Sequence, residues 1–206
     1  MRTSEDTAPQ RRGLASVFVG LSERLLRLER YAVAILMTLL SGAILLNVVT
    51  RYLGAPIYWI DEFAVYCMVW LTFFGASAMT RLRLDFAVTM MTERLSQRMR
   101  DLCRVLATGM VMVFSLSLVA MCWLWLDPVG IASAGFDARA FSGSTFNFVY
   151  TERTQTLNWS TWVLYLILPV FALSVTIHGL ANLLEDMGVV EKASRDLVIN
   201  AEEAVN

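Results

Sequence analysis

The residues able to do chemistry are few and poorly spaced for it. The chain has 206 residues, with one histidine, His178, and three cysteines, Cys67, Cys103 and Cys122. No cysteine pair has C-x-x-C or metal-ligand spacing, so the three read as small apolar fillers. A haem held between helices by two imidazoles needs a second histidine, which argues against a b-type cytochrome. A thiol-based quinone oxidase needs paired cysteines. No G-x-x-x-x-G-K-[ST] phosphate loop appears, and no nucleophile–base constellation can be argued. His178 reads as a polar residue at a helix end or interface. The chain is therefore not read as an enzyme, and no cofactor or metal is expected.

Polar residues do gather at one place, "NVVTRYLGAPIYWIDEF", residues 47–63. Asn47 and Arg51 are four apart and share a helix face. Pro56 ends the helical geometry. Asp61 and Glu62 open the next apolar run, where acids suit the positive first turn of a helix. Two readings stand for this corner. In one, these are interfacial charges and Asp61 is a helix-capping acid. In the other, favoured for Arg51 with Glu62, an ion pair clamps two helices together while Asn47 bonds across them.

The elements that hold this corner are membrane spans. Hydrophobic residues make up 57% and mean hydropathy is +0.56, values that do not suit a soluble domain. A net charge of −1 gives no case for nucleic-acid binding. Four stretches lack Asp, Glu, Lys and Arg: 31–50, 63–80, 105–126 and 154–184. Each is close to the ~20 apolar residues that a spanning helix needs. The expected plan is an all-α membrane protein of four transmembrane helices, spanning about 31–53, 62–80, 97–126 and 159–184. A segment at 1–30 precedes them, a long loop covers 127–158, and a polar tail covers 189–206. The first run starts too late and is too long for a signal peptide, so it is expected to stay as an anchor.

Seventeen basic residues orient the chain. Six precede the first span, six lie between the second and third, and two follow the fourth. By the positive-inside rule both termini and the 2–3 loop are expected to be cytoplasmic. Trp59, Trp123, Trp125, Trp159 and Trp162 fall at the opposite ends, as an outer aromatic belt would.

Leu14, Phe18, Leu21, Leu25 and Leu28 form a helical stripe before the first span. It reads either as an amphipathic helix on the inner leaflet or as an extension of the first span packed on a protein partner. The 2–3 loop repeats the pattern with Met91, Leu95, Met99, Leu102 and Leu106 on one face; residues 85–93 are expected to lie in the membrane interface, and the third helix to start near Ser96. The 127–158 loop has few charges and several aromatics, so it is expected to pack on this chain or on a partner. Small residues Ser41, Gly42 and Ala43, and Gly75, Ala76, Ser77 and Ala78, allow close helix contact within the chain or with a partner. The centres of the spans are nearly free of ionisable groups, unlike those of ion-coupled carriers.

Residues 47–88 resemble the small membrane subunit (Q-type, small permease) of the tripartite ATP-independent periplasmic (TRAP) transporters. That family has N-x-x-x-R-Y, a short turn with W-x-x-E, and a span with W-x-x-x-x-G. The matching positions are Asn47, Arg51, Tyr52, Trp59, Glu62, Trp70 and Gly75, and the likeness extends over about 30–188. The chain departs from the family at Asp85, where a histidine is common, and in its longer 3–4 loop. The resemblance implies a static scaffold in the bacterial inner membrane. Such a subunit braces a large permease subunit that moves like an elevator, importing an organic anion, often a carboxylate, on a sodium gradient. A periplasmic binding protein delivers that anion. A self-contained homo-oligomeric transporter and a membrane redox subunit are the competing readings.

Overall fold

The computed structural model describes residues 7–83 and 96–190. Seven helices are seen among them: α1 (Thr7–Tyr52), α2 (Trp59–Leu82), α3 (Gln97–Leu126), α4 (Pro128–Ser133), α5 (Ala138–Thr145), α6 (Thr161–Tyr165) and α7 (Ile167–Asp186). Four helical segments are long and apolar enough to cross a membrane: Ala15–Tyr52, Trp59–Leu82, Gln97–Ser133 and Thr161–Asp186. Helices suit lipid because each satisfies its own backbone hydrogen bonds. The expected surface helix around 85–93 lies outside the described residues.

α1 is one unbroken helix of 46 residues. At ~1.5 Å per residue it is about 69 Å long, against a hydrocarbon core of ~30 Å. Its N-terminal extension has two faces. Ala15, Ser22, Leu26 and Glu29 are buried against the rest of the chain. The leucine stripe lies elsewhere: Phe18, Leu21 and Leu28 are exposed. The segment is thus an extension of the first span, and one of its faces packs on its own chain.

α1 and α2 are joined by a short corner and run antiparallel. Gly54 takes φ 72° there, a conformation that glycine adopts at no steric cost. α2 ends on Arg83, a left-handed cap whose N–H reaches the carbonyls of Met79 and Thr80. α3 starts after Ser96 and returns antiparallel to α7. α7 is the most enclosed of the four, burying Ala172, Val175, Gly179 and Ala181. Its small residues admit α3 closely: a Cβ on Gly179 would lie 2.7 Å from Met112 Sδ.

The fourth span breaks at Leu166, between α6 and α7. Pro169 has no N–H to offer the preceding turn. Trp70 of α2 compensates nearby, its indole N–H donating to the Leu164 carbonyl at 3.0 Å.

The 127–158 segment folds onto its own chain. Phe141 is buried against Tyr150 with ring centroids 5.6 Å apart, and Tyr150 lies 6.0 Å from Trp162. Burial, with the Asp127 charge adding to it, pushes the Tyr150 phenol up. Its hydroxyl donates to the Leu126 carbonyl at 2.5 Å.

Candidate functional site: polar clamps at both ends of the bundle

The corner between α1 and α2 positions the first clamp. Asn47 and Arg51 share the last turns of α1, and the corner folds the first turn of α2 against them. Arg51 Nη2 donates to Asp61 Oδ2 at 2.5 Å and Arg51 Nε to Asn47 Oδ1 at 3.0 Å. Asn47 Nδ2 closes the triangle on Asp61 Oδ1 at 2.6 Å. The ion pair is therefore Arg51–Asp61, which corrects the expected Arg51–Glu62 pair. The reason is helical geometry: adjacent residues on a helix point about 100° apart, so only one of the two acids can face α1. Asn47 does bond across the helices. The pair is wet, with side-chain exposures of 58% and 50%.

Glu62 turns the other way and holds the long loop. Its Oε1 accepts from the Gln155 amide at 2.9 Å. Its Oε2 accepts from the amides of Thr156 at 2.7 Å and Leu157 at 2.9 Å, and from the Thr156 hydroxyl at 2.5 Å. Three successive amides converging on one carboxylate form an anion nest. The occupant is this chain's own side chain, so the nest serves as a latch between α2 and the entry to α6.

The remaining expected residues are structural in different degrees. Trp59 is half exposed and meets Phe63 edge-on at 6.3 Å. Trp70 bridges to the helix break and stands 6.0 Å from Phe74. Gly75 has open space where a Cβ would be. Ser77, Ala78 and Ala43 are buried within the chain, whereas Ser41, Gly42 and Ala76 are exposed.

A second clamp lies at the opposite end. Ser22, Glu29, Ser77, Arg81 and His178 are each 1% exposed or less. Ser22 Oγ is 2.7 Å from His178 Nδ1, and His178 Nε2 is 3.0 Å from Glu29 Oε2. Ser77 donates to Glu29 Oε1 at 2.7 Å. Chemically this is a Ser–His–Glu relay, but the hydroxyl is fully buried, so no substrate can reach it and it does not act as a nucleophile here. It ties α1, α2 and α7 together. One turn further along α2, Arg81 donates to Asn182 at 2.6 Å, Glu23 at 2.7 Å and Glu185 at 2.8 Å. Arg83 grips Asp186 at 2.9 and 3.0 Å and the Asn182 carbonyl at 2.8 Å. Thr108 of α3 reaches Asp186 at 3.2 Å, bringing the fourth helix into the cluster.

Sequence reading missed this second clamp. From sequence, Arg81 counts only among the six basic residues between the second and third spans, His178 reads as a polar residue at a helix end or interface, and Glu29 is given no role. The available signal was spacing: Ser77 and Arg81 are four apart, as are His178 and Asn182, so each helix presents a polar line on an otherwise apolar surface.

An open groove of about 660 Å³ lies between α3 and α7, lined by Val105, Leu106, Gly109, Met110, Val113, Phe114 and Leu183. It offers no charged side chain to an anionic substrate. Among the described residues no group of three or more His, Cys, Asp or Glu could hold a metal ion.

Four membrane-length helices, joined by polar clamps, define a multi-pass membrane protein. The family model for tripartite ATP-independent periplasmic transporters, DctQ component, matches residues 40–188. The chain belongs to that family, the small-subunit component of TRAP transporters. No curated protein and no solved structure matches it.

Proposed function

We propose that this chain is the static scaffold of its transporter. It braces a large elevator-type permease subunit in the bacterial inner membrane. That subunit imports an organic anion, in our reading a carboxylate delivered by a periplasmic binding protein, at the expense of a sodium gradient. The corner end faces the periplasm and both termini face the cytoplasm, as the arginine distribution favours.

The observation that carries this reading is the internal use of charge. Arg51, Asp61, Glu62, Arg81, Arg83, Glu185 and Asp186 all bond within the chain. A carrier keeps ionisable groups facing a substrate or ion path. A scaffold spends them on fixing helix positions, which is their use here.

Affinity purification of the tagged chain from its native membrane tests the proposal. A large multispanning protein should co-purify in a stable complex, and deletion of the chain should abolish uptake. Recovery of the chain alone, with uptake intact after deletion, overturns it. Substrate flux in liposomes holding only this chain would favour a self-contained transporter.

A further inference from the structure

Between α3 and α6, two short helices are each followed by a phenylalanine in left-handed backbone. Phe136, beyond α4, has φ 61°, and Phe146, the cap of α5, has φ 56°. Bulky residues seldom adopt this conformation. Both rings are turned outward, at 77% and 81% exposure, and Phe148 is exposed beside them. The segment's other apolar face, Ile131, Phe141 and Val149, is buried on its own chain. One apolar surface is thus satisfied and a second is not.

The depth of that second surface is fixed by hydrogen bonds. Asn147 sits between Phe146 and Phe148, and its amide donates to the Trp125 carbonyl at 2.7 Å. Tyr150 holds the neighbouring Leu126 carbonyl. The aromatic pair is therefore tied to the last turn of a membrane-length helix, next to the exposed Trp123 and Trp125. Aromatic rings at that level meet the headgroup layer. On α3 itself, Leu124 and Met121 are exposed as well. Charge is sparse: from 128 to 151 the acids and bases are Asp137 and Arg139 alone. The Asp137 carboxylate is engaged by two amides at the start of α5. A partner guided by charge finds little here, while a lipid surface needs only the rings.

We propose that Phe136, Phe146 and Phe148 are an interfacial anchor that enters the bilayer headgroup layer at the corner end. α4 and α5 then rest on the lipid surface and are not a dock for a soluble protein. This depends on the chain spanning a bilayer and is independent of the scaffold reading.

Spin labels test it on the full-length chain in phosphatidylcholine nanodiscs. With Cys67, Cys103 and Cys122 replaced by alanine, single cysteines are placed at Phe136, Phe146 and Phe148, and at exposed Arg139 for comparison. Collision with oxygen relative to a water-soluble nickel chelate should be several-fold higher at the three phenylalanine positions than at Arg139. An equal ratio means that the rings stand in water and overturns the anchor. Low collision with both reagents and an immobilised spectrum means a protein covers them, and also overturns it. A second measurement uses the unaltered chain, with a lipid-borne diazirine and the tryptic peptide 140–153. Adducts on Phe146 or Phe148 support the anchor, and a peptide free of adducts overturns it.

Discussion

Glu62 and Thr156 are bonded twice, backbone amide and side-chain hydroxyl converging on one carboxylate oxygen at 2.7 and 2.5 Å. They lie 94 residues apart, one on α2 and one in the long loop. The contact explains how a loop with few charges keeps a fixed place over the bundle.

Glu62→Gln should release that loop. The amide side chain keeps one acceptor but turns an N–H₂ donor toward backbone donors. Hydrogen exchange at residues 155–157 should accelerate several-fold while the amides of α2 and α7 hold their protection. Unchanged exchange at 155–157 would sink the latch.

Arg51→Ala should be close to silent in stability. The Arg51–Asp61 pair is more than half exposed on the arginine side, and such pairs contribute about 0.2–1 kcal/mol at most. Thermal unfolding of the purified chain should move little, and less still in high salt. A loss of several kcal/mol would contradict the exposed, weakly coupled pair.

Arg81→Leu should be among the most damaging single changes. It takes away the 2.8 Å partner of Glu185, whose side chain is 2% exposed, leaving Arg83 at 3.6 Å beside that carboxylate, and it removes the bond to Glu23. Removing one partner of a buried pair costs about 3–5 kcal/mol. Yield of folded protein should fall sharply, and adding Glu185→Gln should recover part of it. Wild-type yield from Arg81→Leu alone contradicts the second clamp.

Gly179→Ala should loosen α3 from α7 modestly, by about 1–3 kcal/mol, because Met112 can yield at its flexible end. Gly179→Leu should be far worse, and Met112→Ala should rescue the alanine variant. Failure of that rescue, read from the unfolding midpoint, would place the strain elsewhere.

The long loop should loosen in alkali through Tyr150. Its phenol is raised above the ordinary value of 10.0, so folding favours the neutral form. That contribution is complete below the ordinary value and is lost as pH rises through the raised one. Tyr150→Phe should remove the alkaline step and cost about 1 kcal/mol for the lost bond to Leu126. An alkaline step of the same size in the variant assigns it to another group.

Four membrane-length helices were legible because hydropathy and length are local properties. The corner was legible too, since Asn47, Arg51, Asp61 and Glu62 are close in sequence. Choosing between Asp61 and Glu62 was not, because a one-residue step on a helix redirects the side chain, and Glu62's partners arrive from residues 155–157. The second clamp was hidden for the same reason. Glu29 meets His178 across 149 residues, and single-chain periodicity cannot pair them. The 127–158 segment was expected to pack on this chain or on a partner, and it packs on its own chain through Phe141 and Tyr150.

The two polar layers of the second clamp are one helical turn apart on α2 and on α7. Ser77 lies in the layer of Glu29 and His178, and Arg81 in the layer of Asn182 and Glu185. Apolar surfaces alone would let these helices slip past each other by a turn with little loss. Here a slip would carry Arg81 into the wrong layer and break its bonds to Asn182 and Glu185. Buried polar groups of this kind set registry. The molecule therefore has a vertical zero point: the heights of its helices relative to one another are indexed by chemistry, and grease only fills the space between.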